Sequence, residues 1–317
     1  MTVLTLALPS KGRLKEQVDA WLADCGFPVQ SAGGSRGYTA TLEGLPAVEV
    51  QLLSAGDIAA ALNAGDIHIG VTGEDLLREQ GEAMERRVTL LRALGFGRAD
   101  LVVAAPRSWI DVDTMADLEE VGAAYLARTG GRMRVATKYL AQTRAYFAAN
   151  GVYDYRIVES SGATEGAPAA GTAEVIVDIT TTGATLAANN LKILNDGVIL
   201  KSQAQLAASL KAAWSPDGLK SLRYMMRVVE ARARARDLAT LVWPAESAAA
   251  ADDATAFFLS KGASRRANGL LTPARDLFDT AAALAGAGVG PVSAARPDYV
   301  FEPESPAVDR LQAALGY

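Results

Sequence analysis

The sequence predicts an α/β protein: a two-lobed core on largely parallel sheets, followed by a small α+β domain. Short β-branched runs alternate with stretches of helical period along the first two-thirds of the chain. The alternation restarts after Gly95-Phe96-Gly97, which divides it into two sets. Past about residue 237 the spacing changes, and alanine-rich helical stretches separate short strands.

In chain order, residues 3–8 alternate and form a strand that breaks at Pro9-Ser10-Lys11-Gly12-Arg13. Leu14, Val18, Trp21 and Leu22 then carry helical spacing over 14–25. A turn-rich passage, 33–44, leads to a strand at 47–53 and a short helix at 57–63, with Asp57 where the dipole favours a carboxylate. A strand at 67–71 runs into Thr72-Gly73-Glu74-Asp75 and a helix from Leu76. The second set holds strands at 101–105, 134–136, 156–159, 175–179 and 198–201, with a helix at 142–150 and a turn-rich passage at 165–171. A long helix at 219–238 bears Arg223, Arg227, Arg232, Arg234 and Arg236, interleaved with Glu230 and Asp237 as on a solvated face. The last region shows strands at 240–244, 291–294 and 299–301 and helices at 246–261 and 276–286. The expected domains are therefore 1–94 completed by 200–237, then 95–199, then 238–317, with hinges near Gly95-Phe96-Gly97 and Leu200-Lys201-Ser202. Ligands of such folds sit at the carboxyl ends of strands, where the Gly/Thr-rich loops fall.

The richest of those loops is Val175-Ile-Val-Asp178-Ile-Thr-Thr-Thr182-Gly183-Ala-Thr185-Leu186. A rigid strand ends in a carboxylate, passes three threonines and a glycine, and opens a helix. Free amides of such a loop point at a phosphate. Asp178 would repel that phosphate unless it has another partner, and an ionised carboxylate accepts from two ribose hydroxyls at once. The segment asks for a phosphorylated sugar; the plain alternative is a buried strand and turn. Ser10-Lys11-Gly12-Arg13 adds two cations, and Thr137-Lys138-Tyr139 adds a hydroxyl and a cation. No Gly-x-x-x-x-Gly-Lys-Ser/Thr loop and no Gly-x-Gly-x-x-Gly after the first strand occurs.

Composition narrows the chemistry. The net charge of −5 argues against a nucleic-acid partner, and no apolar run has membrane-spanning length. Apolar residues precede basic ones at the start, the reverse of a secretory signal, so a cytoplasmic protein is expected. The single cysteine, Cys25, excludes an intrachain disulfide and a multi-cysteine metal site. The single histidine, His68, alternates with isoleucines and suits a strand face better than a catalytic role. The chemistry must run on Asp, Glu, Lys, Arg, Thr and backbone amides.

Six motifs in order resemble one family. Leu8-Pro9-Ser10-Lys11-Gly12-Arg13-Leu14, Asp57-Ile58, Gly70-Val71-Thr72-Gly73-x-Asp75, Arg134-Val135-Ala136-Thr137-Lys138-Tyr139, Glu165-x-x-Pro168 and Asp178-x-x-x-Thr182-Gly183-x-Thr185-Leu186 are similar in order and spacing to ATP phosphoribosyltransferase. The resemblance spans about Thr5 to Leu206. It implies a periplasmic-binding-protein-like core that condenses ATP with 5-phosphoribosyl 1-diphosphate (PRPP), giving N1-(5-phosphoribosyl)-ATP and diphosphate, the first step of histidine biosynthesis. Adenine N1 is already a lone-pair nucleophile, so positioning and charge neutralisation suffice. The resemblance assigns PRPP to Asp178, Thr181, Thr182, Gly183, Ala184 and Thr185, with Glu165 facing it. It assigns ATP and the diphosphate to Lys11, Gly12, Arg13, Asp66, Thr72 and Gly73. Lys11, Arg13, Glu165 and Asp178 are then the catalytic set, and Mg²⁺ rides on the diphosphate rather than in a protein-built metal site.

The match has departures. Ser54 stands where the family has an arginine, leaving Arg98 or Arg36 to compensate; Leu140 replaces a proline and Asn190 a glycine. The resemblance further implies a homo-oligomer, and a long form whose ferredoxin-like C-terminal domain takes histidine as feedback inhibitor. Short forms instead use a regulatory subunit resembling histidyl-tRNA synthetase. Two other readings remain: a non-catalytic two-lobed binding module, and a phosphoribosyltransferase for another base. The latter usually carries a carboxylate pair where this chain has Asp178-Ile179.

Overall fold

The computed structural model describes residues 4–31, 39–160 and 162–317. The first lobe is a seven-stranded sheet in the order β2-β3-β4-β1-β5-β12-β6. Its strands are β1 (Leu4–Pro9), β2 (Val29–Ser31), β3 (Thr39–Leu42), β4 (Val48–Leu53), β5 (Ile69–Gly73), β6 (Val88–Ala93) and β12 (Ala204–Ser209). The second lobe orders its strands β11-β7-β10-β8-β9, with β7 (Ala99–Pro106), β8 (Met133–Thr137), β9 (Tyr155–Glu159), β10 (Val175–Thr180) and β11 (Leu191–Ser202). The sheets are mixed rather than wholly parallel. β1, β4 and β5 run parallel in one lobe and β8, β9 and β10 in the other; β12 runs against the first set and β7 against the second, while β11, antiparallel to β7, runs in the sense of β10. The turn-rich passage expected at 33–44 lies partly outside the described residues, as does Arg36.

Helices follow the strands as the spacing asked. α1 (Gly12–Asp24) buries Val18, Trp21 and Leu22. α2 (Ala55–Ala64) begins at Ser54, whose hydroxyl accepts from the Asp57 amide at 3.2 Å and donates to the Asp57 carboxylate at 2.6 Å. Ser54 is thus a helix cap. α3 (Glu74–Arg78) is one turn, and α5 (Leu140–Ala149) starts on Leu140, the position where a fixed-φ proline is also at home. Asn190 has φ +57°, a left-handed conformation that glycine adopts freely and asparagine tolerates. α4 (Met115–Thr129) escaped the periodicity, although Thr114 and Asp117 form a capping box at its start.

The two chain crossings between lobes lie side by side. Leu94 donates to Ala204, Ala204 to Phe96, and the Gly95 amide to the Gln203 side chain at 3.1 Å. β11 runs to Ser202, so the second crossing falls at Gln203, slightly beyond the expected boundary of lobe two at 199.

The last third corrects the expected boundaries twice. Residues 238–295 form β13 (Leu238–Val242), α8 (Ala248–Ser260), β14 (Ser264–Arg266), β15 (Gly269–Pro273), α9 (Leu277–Gly286) and β16 (Ser293–Ala295), an antiparallel sheet ordered β14-β15-β13-β16. This βαββαβ order is ferredoxin-like. The β14–β15 hairpin supplies strands the spacing missed because its runs are so short. Residues 299–301 are not a strand: Val300 donates to Ala231 of α7 (Pro216–Arg236) and stacks the chain along that helix. The terminal α10 (Pro306–Leu315) then leaves the small domain and buries Val308 and Leu311 in the core of lobe one. The α7 arginines tie the helix to α1 and to this return path. Arg232 and Arg236 clamp Asp24 at 2.7 and 2.5 Å, Arg223 pairs Asp309 at 3.2 Å, and Arg227 and Arg234 reach the Pro303 and Val300 carbonyls. The Arg232 hydrogen bond, opposed by burial and reinforced by Arg236, lowers the Asp24 carboxyl to about 2.

Candidate active site

Sheet register converges the loops on one cleft. Parallel pairing sets Val177 opposite Thr137, so Asp178, still within β10, and Lys138, just past β8, lie at the same end of the sheet of lobe two. In lobe one β1 and β5 end together at Pro9 and Gly73, aiming Lys11–Arg13 and Gly73 at the same gap. The cavity between them holds about 700 Å³. Arg13, Gly73 and Asp75 line one wall, Lys138, Tyr139, Ile179 and Thr181 the other, and Gly95-Phe96-Gly97 with Arg98 closes the hinge side.

Asp178 is half-buried. Its Oδ1 accepts from the Ile179 amide at 2.8 Å, leaving acceptor capacity toward the cleft. Burial raises its pKa; the Ile179 amide and the Lys138 charge pull it down, the Glu165 charge raises it, and the Thr164 hydroxyl lowers it. Glu165 sits in the short 3-10 turn Thr164–Gly166, within range for its charge to act on Asp178.

The threonine loop is exposed apart from half-buried Gly183, which has φ +74°. The Gly183 amide donates to Thr180 Oγ1 at 2.9 Å, and the Ala184 amide makes a long 3.4 Å contact with Thr182 Oγ1. Among the described residues the amides of Thr181, Thr182 and Thr185 have no acceptor. Thr180, which the expected set did not include, shapes this loop by holding Gly183. The helix behind it, α6 (Ala184–Ala188), is five residues long and adds little dipole.

Lys11, Gly12 and Arg13 are exposed, and Gly12 has φ +78° as the chain turns into α1. Two expected contacts fall elsewhere. Thr72 is 0% exposed and donates to the Ala55 carbonyl at 2.6 Å, so its hydroxyl braces α2 and does not face a ligand. Asp66 precedes β5 at the opposite edge of the sheet, roughly 20 Å of strand from the cleft at about 3.3 Å per residue. The resemblance groups Asp66 with the ATP residues near Thr72; the strand between them separates the two. Conversely, Lys138, Tyr139, Asp75 and Arg98 line the cavity, although the resemblance assigned none of them a ligand: Lys138 and Tyr139 were read only as a loop offering a cation and a hydroxyl, Asp75 only as the end of a motif, and Arg98 only as a substitute for the missing arginine. The Thr137-Lys138-Tyr139 loop after a strand was the available signal.

His68 is structural. Its Nδ1 accepts from the Thr5 amide at 3.1 Å, its Nε2 faces the Ala213 carbonyl at 3.2 Å, and its ring meets Trp214 edge-on at 5.0 Å. These contacts assign the Nε2–H tautomer. His68→Gln is expected to keep at least about half of turnover while losing roughly 1–2 kcal/mol of stability. Rate assays beside a thermal melt check this, and a folded but inactive variant would contradict the structural role.

Known proteins similar to this chain belong to one family. The family model described as ATP phosphoribosyltransferase matches residues 54–228. An ATP phosphoribosyltransferase of Caulobacter vibrioides is 69% identical over 314 residues, covering 99% of this chain and 98% of that protein. One from Rhodopseudomonas palustris is 49% identical over 317 residues, covering 98% of each. Among solved structures, the ATP phosphoribosyl transferase (HisG:HisZ) complex from Thermotoga maritima superposes with a TM-score of 0.54 at 26% identity, over 72% of this chain and 99% of that one. Full-length relatedness at this level, on a cleft with these loops, establishes that the chain belongs to the ATP phosphoribosyltransferase family, the pentosyltransferases that join ATP to PRPP in the first step of histidine biosynthesis.

Proposed function

We propose that PRPP occupies the β10 wall of the cleft and ATP the wall opposite, with adenine N1 aimed at C1 of the sugar. One observation carries this: a single cavity of about 700 Å³ is lined by Arg13 and Gly73 from one lobe and by Lys138, Ile179 and Thr181 from the other. Asp178 accepts from both ribose hydroxyls, and the amides of Thr181, Thr182 and Thr185 take the 5-phosphate. The Glu165 charge acts on Asp178, and in this reading both carboxylates face the sugar as positive charge develops at C1. Lys11 and Arg13, with Gly12 and Gly73 permitting close backbone approach, hold the ATP phosphates and the departing diphosphate. Arg98, on the hinge side, supplies the cation that Ser54 does not. N1 attacks with its own lone pair, so no side chain need remove a proton.

The donor set fits Mg²⁺ carried by substrate. Among the described residues no three His, Cys, Asp or Glu side chains converge as a metal cage. Asp178 and Glu165 are the carboxylates placed to meet a cation at the sugar, and Glu165 already raises the proton affinity of Asp178. When bound, the ion neutralises charge on the leaving diphosphate.

The ferredoxin-like domain is read as a histidine-responsive regulatory domain of a homo-oligomeric, cytoplasmic enzyme. The Thermotoga structure is a HisG:HisZ complex, and its matched chain covers 72% of this one, close to the share of the two-lobed core. A domain appended in cis stands in for such a subunit. The two-wall assignment is tested by separate binding titrations. Arg13→Met is expected to weaken ATP about tenfold, worth ~1.4 kcal/mol, and PRPP less than about threefold. The reverse pattern overturns it.

A further inference from the structure

The carboxylate of Asp75, at the end of the Thr72-Gly73-x-Asp75 motif, does not face a ligand. It is 6% exposed. Its Oδ2 accepts from the Tyr139 hydroxyl at 2.7 Å, and its Oδ1 accepts from Ser202 Oγ at 2.8 Å. The Asp75 amide donates to the same Ser202 oxygen at 3.0 Å. One buried side chain of lobe one thus grips lobe two at Tyr139 and the second crossing at Ser202. Gly73 makes room for it: a Cβ there would lie 2.2 Å from Asp75 Oδ1. Burial foremost, then the Asp75 charge and hydrogen bond, drive the Tyr139 pKa upward, so the phenol stays a donor throughout the working range.

The neighbouring contact repeats the theme. α5 has no cap of its own at Tyr139. Glu79, from lobe one, accepts from the Ala141 amide at 2.8 Å and the Gln142 amide at 3.3 Å, and Gln142 Nε2 returns a bond to the Asp75 carbonyl at 2.9 Å. The first turn of α5 and the residue before it are therefore set from across the cleft. Lys138 occupies that same loop, with its Nζ 5.0 Å from the Tyr139 ring centroid and its charge felt by Asp178.

We infer that Asp75 is a positioning residue: by holding the Tyr139 hydroxyl it fixes Lys138 over the PRPP wall, so that lobe one sets the charge geometry of a site in lobe two. The inference rests on the placement of PRPP beside Asp178 proposed above. A hydrogen bond that served only folding would change stability and leave substrate preference alone.

The test is a double-mutant cycle in the full-length enzyme, read as KM for PRPP, KM for ATP, kcat and melting temperature. Tyr139→Phe keeps the ring and removes the hydroxyl. It is expected to raise the PRPP KM about tenfold, with the ATP KM within about twofold. Lys138→Met is expected to show the same selective defect, and the double variant to be no worse than Lys138→Met alone. Asp75→Asn, which keeps an acceptor for Tyr139, should recover most of the affinity that Asp75→Ala loses. Multiplicative Tyr139→Phe and Lys138→Met defects, or equal losses in both KM values, would overturn the inference. Asp178→Ala separates the levels: if it loses PRPP while Tyr139→Phe binds normally, the positioning role fails alone, whereas normal binding by Asp178→Ala removes the PRPP placement itself.

Discussion

Asp178→Ala is expected to weaken PRPP binding about a hundredfold while leaving the fold intact. Two hydrogen bonds from ribose hydroxyls to an ionised acceptor contribute about 1.5 kcal/mol each at the low end, and losing ~3 kcal/mol gives that factor. The free enzyme also holds this carboxylate at a cost, since burial raises its pKa above the ordinary carboxylate value. The sign follows directly. A raised acid pKa in the folded chain means the folded state binds the proton more tightly, so stability falls as pH rises through that range and the penalty is full above it. Asp178→Asn removes the penalty and should melt higher than wild type at neutral pH, the gap closing as pH falls through the raised pKa. PRPP affinity in the wild type should fall over that same acid window, above the range where an ordinary carboxylate titrates. Calorimetric titration with PRPP alone, beside melts at neutral and acid pH, reads both effects. A destabilised Asp178→Asn would mean that the carboxylate holds the fold rather than the sugar.

How much of this was legible in the sequence depends on which interaction sets each feature. The strand edges were legible, because β-branched runs ending in Gly/Thr loops mark where chain leaves a sheet, and Asp178, Thr182, Lys11 and Arg13 all fall there. So was the two-lobed division, because the alternation restarts at Gly95. Contacts across the cleft were not: Asp75 reaches Tyr139 over 64 residues and Ser202 over 127, and no local pattern encodes such pairs. Asp66 misled for a related reason. It is close to Thr72 in the chain, but an extended strand carries the chain across the sheet, and closeness in sequence becomes distance in space. β14 and β15 were missed because strands of three and five residues carry almost no period to detect, and they take their form from pairing, β14 with β15 and β15 with β13. Arg232 and Arg236 were legible as a non-nucleic-acid face only by their interleaved acids; their actual partner, Asp24, lies more than two hundred residues away.

The second large effect falls on Gly183. Its φ of +74° places it in the left-handed region, and a Cβ added there would have open space, with Ile193 Cδ1 the nearest atom at 3.9 Å. The penalty for a side chain there is therefore conformational rather than steric. Alanine incurs roughly 1–2 kcal/mol in that region, and a β-branched residue more, so Gly183→Val should leave it. Leaving it breaks the Gly183 amide's bond to Thr180 Oγ1 and rotates the adjoining peptides. The unsatisfied amides of Thr181, Thr182 and Thr185 would then no longer converge. Because the loop is exposed, the chain has little packing to lose, and the melting temperature should move by only about 2 °C. PRPP affinity should fall about a hundredfold, with Gly183→Ala between the two, and ATP binding should be unchanged. The contrast with Thr182→Val is what makes the result informative. That change keeps the backbone and removes one hydroxyl, so it should lower turnover with only a small loss of PRPP affinity. If instead Thr182→Val abolished PRPP binding and Gly183→Val spared it, side-chain hydroxyls rather than backbone amides would hold the 5-phosphate.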